Sequence, residues 1–257
     1  MPFAPDSTLA PRFAASPNHG ERLGVARPDL LILHYTGMPT ANAAFERLRS
    51  ETHQVSCHYF VFEDGEVVQM VPEARRAWHA GQSIWEGHKD INSRSIGIEI
   101  ANRGHEWGYL DFPEAQMRAL TALTADIVGR WAIKPHHVLG HSDIAPLRKE
   151  DPGEKFDWRR LFEAGIGLWS EPAPIRGGRF LSLGEQGEPV AALQAMLGLY
   201  GYGIEVSGHY DALTQAVVRA FQRHFRPALI DGIADASTIR TLRDLIALKQ
   251  ASDPGDK

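Results

Sequence analysis

The chain has 257 residues, 43% of them hydrophobic and 23% charged, with a net charge of −5 and a single cysteine. That length suits two unequal cores better than one. The absence of a basic excess argues against a nucleic-acid partner. A lone Cys57 excludes an intramolecular disulfide framework, and no apolar run approaches the length of a membrane span.

The first 24 residues are rich in Pro, Ala and Ser without periodicity, which predicts an arm lying over the surface. They lack a basic stretch followed by an apolar one, so no secretory signal is read and a cytoplasmic location is expected, with the periplasm as the alternative. Ordered structure is expected from residue 25. The run DLLILHYT at 29–36 reads as a buried strand ending at His34. A helix follows over about 41–51, with Ala44, Phe45 and Leu48 on one face. SCHYFVF at 56–62 and VVQMV at 67–71 flank the turn EDGE and read as a hairpin. SIGIEI at 95–100 is a further strand carrying Glu99.

The strongest helical pattern runs over 113–131, where Pro113 suits a first turn and Met117, Leu120, Leu123, Ile127 and Val128 recur at helical spacing. HVLG at 137–140 is a short strand leading into His141, and 157–164 a closing helix. Strands alternating with helices define an α/β domain with a mixed central sheet flanked by helices, over residues 25–165. IGLWSEPAPIRGG at 166–178 has the composition of a linker. Residues 179–250 read as a small three-helix domain, followed by a tail at 251–257. Its second and third helices open with one repeated phrase, GHYDALT at 208–214 and GIADAST at 232–238, in which the Asp is placed to cap the coming turn.

Chemistry concentrates in GHSDIAPLRKEDPG at 140–153, a Pro- and Gly-bearing loop after a strand. Catalytic zinc takes three His or carboxylate ligands and leaves one position open. His141 and Asp151 suit two of these, and His34, at the end of the first strand, is the natural third. A surface loop with incidental polar residues, and a core histidine on each strand, explains the same spacing, for no close-paired HxxxH signature is present.

Four motifs in order, LHYT at 33–36, AWHAG at 77–81, SIGIEI at 95–100 and the 140–153 loop, resemble the type-2 N-acetylmuramoyl-L-alanine amidases. That family includes phage T7 lysozyme, the anhydro-muropeptide amidases and the peptidoglycan recognition proteins. The resemblance implies one zinc per chain held by His34, His141 and Asp151. It also implies a general base at Glu99 and an oxyanion-stabilising ammonium at Lys149. Trp78 and His79 are expected to line the substrate groove and Asn102 to bond the stem peptide, while His58 is expected to orient a metal ligand. Asp143 is read as bracing the loop. Residues 180–248 are similar to the peptidoglycan-binding domain 1 family. The expected reaction is therefore hydrolysis of the amide joining (anhydro-)N-acetylmuramic acid to L-alanine, with soluble peptidoglycan fragments of a recycling route as substrate. A murein hydrolase of intact wall and a recognition protein that binds muropeptides without cutting them are the alternatives.

Overall fold

The computed structural model describes residues 4–175, 177–178 and 180–252. Eight strands, β1 (Arg12–Phe13), β2 (His19–Gly20), β3 (Leu30–Tyr35), β4 (Tyr59–Val61), β5 (Val67–Gln69), β6 (Arg76–Ala77), β7 (Ser95–Ile100) and β8 (Val138–Gly140), are interleaved with helices. The helices are α1 (Ala41–Arg49), α2 (Ile91–Arg94), α3 (Glu114–Trp131), α4 (His141–Ile144), α5 (Trp158–Glu163), α6 (Glu188–Tyr200), α7 (Ala212–Phe225) and α8 (Ala236–Ser252). Six strands form one sheet in the order β1-β5-β4-β7-β3-β8, and β2 pairs with β6 apart from it. The pairs β4–β7, β7–β3 and β3–β8 are parallel while β4–β5 is antiparallel, which makes the sheet mixed.

Leu30, Leu31, Ile32 and Leu33 of β3 are all fully buried, as the continuous apolar run requires of a central strand covered on both faces. On one side Leu31, Leu33, Ile96 and Ile98 pack with Met117, Leu120, Leu123 and Ile127 of α3. Thr40 caps α1 by accepting from the Ala43 amide at 3.2 Å, and Asp157 caps α5 by accepting from Arg160 at 3.0 Å. Within the N-terminal 24 residues, the described part is stitched into the fold rather than laid over it. β1 extends the sheet edge beside β5, and the buried Asn18 amide donates to the carbonyls of Ser50 and Val55, both at 2.9 Å.

In α6–α8 the repeated phrase does what its composition dictates. Asp211 accepts the Thr214 amide at 2.8 Å and Asp235 the Thr238 amide at 2.7 Å. Each glycine turn is also held by a buried glutamine of the preceding helix. Gln194 accepts from the Gly208 amide, and Gln222 from the Gly232 amide, each at 2.9 Å.

The described residues of 166–178 are themselves packed against the fold. Trp169 packs against both main hydrophobic clusters, and the Ala173 amide donates to Thr241 Oγ1 at 3.2 Å. One of those clusters runs without interruption from Leu30, Ile32 and Trp85 through Leu139 and Ile144 into Val190, Tyr200, Phe221 and Leu245. The three-helix region is thus packed on the far face of the sheet.

Candidate active site

Strand register assembles the site. His34 stands opposite Glu99 in the β3–β7 pair, and Leu33 opposite Gly140 in the β3–β8 pair, so His141, the next residue, arrives beside His34. The loop beyond α4 then folds back, and the Ser142 amide donates to the Asp151 carbonyl at 2.9 Å, closing it. His34, His141 and Asp151 are 1%, 3% and 5% exposed. His34 Nδ1 lies 2.9 Å from His141 Nδ1, and each of these nitrogens lies 3.1 Å from Asp151 Oδ2.

The hydrogen bonds on the far side of each ring decide what these atoms offer. The Ser95 hydroxyl donates to the Ile91 carbonyl at 2.7 Å, so its lone pairs face His79 Nε2 at 3.0 Å, which must donate. His79 Nδ1 is then an acceptor for His34 Nε2–H at 3.0 Å. His141 Nε2–H likewise donates to the Ala80 carbonyl at 3.1 Å. Both rings therefore carry their proton on Nε2 and turn an Nδ1 lone pair towards the carboxylate oxygen. Three lone pairs converging within about 3 Å repel one another unless a cation lies among them. Donors 2.0–2.1 Å from a tetrahedral zinc lie about 3.3 Å from each other, so this triangle fits that ion.

Electrostatics agree with that donor set. Burial, assisted by His141, lowers the His34 pKa to about 4, and burial holds His79 well below its usual range, so both stay neutral, as a ligating His34 and an accepting His79 require.

His141 and Asp151 of the triangle line a cavity of about 360 Å³, together with Tyr35, Met38, Arg47, Trp78, Glu99 and Lys149. Among the described residues Glu99 Oε2 has no hydrogen-bond partner. Burial, reinforced by the Asp151 charge and opposed by Lys149, raises the Glu99 pKa well above the carboxylate norm. Lys149 faces the same cavity and forms no ion pair with Asp151.

Other residues singled out in the sequence fall differently. His58 does not touch the triangle. Its Nδ1 accepts the Gly97 amide at 2.9 Å and its Nε2 faces the Arg75 carbonyl at 3.0 Å. The orienting bond expected of His58 is made by His79, which reaches the cavity but is committed to His34. Gly97 makes this possible, since a Cβ there would lie 2.5 Å from His79 Cγ. Asn102 is not among the lining residues. Its side chain donates to the Leu110 carbonyl at 2.9 Å and accepts the Gly104 amide at 3.0 Å, shaping the loop after β7 instead of facing a ligand. Arg47, on the exposed side of an amphipathic helix, carried no sequence signal for the cavity it lines.

Three convergent nitrogen and carboxylate donors that could hold a metal ion, beside a cavity with a carboxyl and an ammonium group on a mixed α/β sheet, make up a hydrolase-type site. The chain belongs to the N-acetylmuramoyl-L-alanine amidase family, Amidase_2, whose profile matches residues 24–154; that of the putative peptidoglycan binding domain matches 186–242. It is similar to the N-acetylmuramoyl-L-alanine amidase AmiD of Escherichia coli K12, 39% identical over 226 residues, which span 82% of this chain and 80% of that protein. The 1,6-anhydro-N-acetylmuramyl-L-alanine amidase AmpD of Enterobacter cloacae is 36% identical over 167 residues, 58% of this chain and 87% of that one. Among solved structures, E. coli AmiD in complex with anhydro-N-acetylmuramic acid-L-Ala-D-gamma-Glu-L-Lys superposes with a TM-score of 0.74 at 35% identity, covering 90% of this chain and 98% of that one. AmpDh3 from Pseudomonas aeruginosa gives 0.73 at 30% identity, covering 94% and 96%.

Proposed function

We propose that this amidase binds one zinc through His34 Nδ1, His141 Nδ1 and Asp151 Oδ2 and hydrolyses the amide between anhydro-N-acetylmuramic acid and the L-alanine of a soluble stem peptide. The observation that carries the reading is the convergence of three donor atoms at 2.9–3.1 Å, two of them on residues that line the cavity holding Glu99 and Lys149. Zinc bound there supplies Lewis-acid polarisation of the scissile carbonyl and acidifies the attacking water. Glu99 takes the proton from that water and passes it to the departing alanine nitrogen. Its raised pKa suits both acceptance and release. The Lys149 ammonium offsets the charge that builds on the carbonyl oxygen. Trp78 and Met38 give the sugar and lactyl group apolar walls, and Arg47 offers a guanidinium to a stem-peptide carboxylate.

Anhydro-muropeptides are the ligands named for the similar AmiD and AmpDh3 structures, which supports soluble recycling fragments as the substrate here. Attack on intact wall is the second reading, favoured by the match of residues 186–242 to a peptidoglycan-binding profile. Mass spectrometry of products from a soluble anhydro-muropeptide and from sacculi, run side by side, tests both. The first reading expects the free anhydro-sugar and an intact peptide from the soluble substrate, with little release from sacculi. Peptide release from sacculi alone would overturn it, and no amide cleavage in either would remove the reaction.

A further inference from the structure

The loop between His141 and Asp151 is the least regular part of the metal site, yet it carries two of the three donors. Its conformation is held from outside the catalytic domain. Asp143, 1% exposed, lies two residues beyond His141. Its Oδ2 accepts the Gly140 amide and His224 Nδ1, both at 2.8 Å, and its Oδ1 accepts the Tyr202 hydroxyl at 2.8 Å. Tyr202 follows α6 and His224 lies in the last turn of α7, so both side-chain donors belong to the three-helix region. Arg223, the neighbour of His224, reaches the other end of the loop and pairs with Glu150, beside Asp151.

These donors are themselves fixed. The His224 ring is stacked between Trp158, at 3.7 Å, and Phe225, at 3.8 Å between centroids. Tyr202 bridges to Trp85 through backbone pairing and packs on its ring at 5.1 Å. The flanking glycine is needed for that approach, since a Cβ on Gly203 would meet Ile84 Cγ2 at 2.0 Å.

We propose that the three-helix region is a positioning element of the metal site: Tyr202 and His224 hold Asp143, and Arg223 holds Glu150, so that His141 and Asp151 stay in ligating geometry. The inference rests on the zinc reading of His34, His141 and Asp151. A carboxylate accepting one bond from the Gly140 amide beside His141 and two from the three-helix region removes freedom from α4, and misplacement of a ligand weakens binding. Packing alone requires none of this, since an apolar contact would seal the seam as well without a buried charge.

The test uses the full chain. Tyr202→Phe and His224→Phe keep both rings and remove both donors, while His224→Asn restores a donor at the Nδ1 position. Leu245→Ala loosens the same hydrophobic cluster without touching Asp143. Zinc affinity is read by chelator competition, with kcat, KM and melting temperature measured in parallel. The double Phe variant is expected to bind zinc about tenfold or more weakly and to lose kcat in similar measure with little change in KM. His224→Asn is expected to recover most of both, and Leu245→Ala to lower the melting temperature while leaving zinc affinity unchanged. Tyr202→Phe alone carries the test if the double variant does not fold. Unchanged zinc affinity and kcat in a folded variant, or equal losses in Leu245→Ala, would overturn the proposal. Failure of the wild-type protein to bind zinc would instead remove the metal reading beneath it.

Discussion

Two groups of histidine and carboxylate lie at opposite ends of β8, one around His137 before it and one around His141 after it, and they differ in how their charges are met. In the catalytic cavity, His34, His141 and Asp151 turn lone pairs towards one another, while their protons point outwards to His79 and the Ala80 carbonyl. At the seam with α8, Glu86, His136 and His137 also gather within 4.8 Å. There the two His137 nitrogens face the Asp29 carbonyl and Glu86 Oε2, each at 3.0 Å, and the Lys249 ammonium meets Glu86 Oε1 at 2.6 Å. The first group calls for a cation from solution and the second has one in the chain. Clustering of ligand-type residues is common to both; the direction of their protons separates the proposed metal site from a structural latch.

The largest expected effect breaks the first group. His141→Ala removes one donor, and the zinc content of purified, reconstituted protein should fall well below one per chain. Turnover should drop by about three orders of magnitude or more, since several kcal/mol of transition-state stabilisation go with the metal. Alanine at His137, by contrast, should leave zinc content unchanged. Equal zinc loss in both variants would erase the distinction between the two groups.

Glu99→Gln comes next. Zinc should be retained and kcat should fall by about 10²–10⁴-fold, the usual contribution of a general base. The wild-type pH profile gives the sign independently. Glu99 must be deprotonated to accept a proton and its pKa is raised, so activity is present above that pKa and lost as pH falls through it. Glu99→Gln should lack this acid limb; a full limb in the variant would place the titration elsewhere.

His79→Phe sharpens the argument about proton direction. The ring volume is kept, but His34 Nε2 loses its acceptor and the tautomer is no longer fixed. Zinc affinity should fall about 10–100-fold, as when outer partners of ligating histidines are removed. A neutral result would show that His34 is oriented by its strand alone.

Regular structure was well written in local pattern. Ser95–Ile100 and Glu114–Trp131 form as periodicity predicts, because both are long enough to carry a face. β1 was not readable, being two residues that join the sheet at the edge of β5. The triangle was suggested by residue type but not determined by spacing, for His34 stands 107 positions from His141 and 117 from Asp151, and only strand register joins them. The exchange of His58 for His79 has the same cause. Both histidines lie near one strand, and the choice depends on the space above Gly97, which no single-sequence pattern displays. The grip of α7 on Asp143 was hidden for a further reason, that residues 166–178 look like a spacer, and a spacer suggests independent bodies.

The smallest expected effect concerns the latch. Glu86 is partly buried, which opposes its ionisation, yet His137 and Lys249 hold its pKa well below the glutamate norm. A depressed carboxylate pKa contributes stability that is present above the unfolded value and lost as pH falls towards the folded one. Glu86→Gln should therefore destabilise the protein near neutrality by about 1 kcal/mol, a modest figure because the group is only partly shielded from water. The gap to wild type in urea unfolding should narrow as the buffer is made more acidic through the carboxylate range. Zinc affinity should not change, since the latch touches no donor of the triangle. A zinc deficit in Glu86→Gln would mean that the two histidine groups are coupled through the sheet, and the contrast between metal site and latch would need to be redrawn as one network.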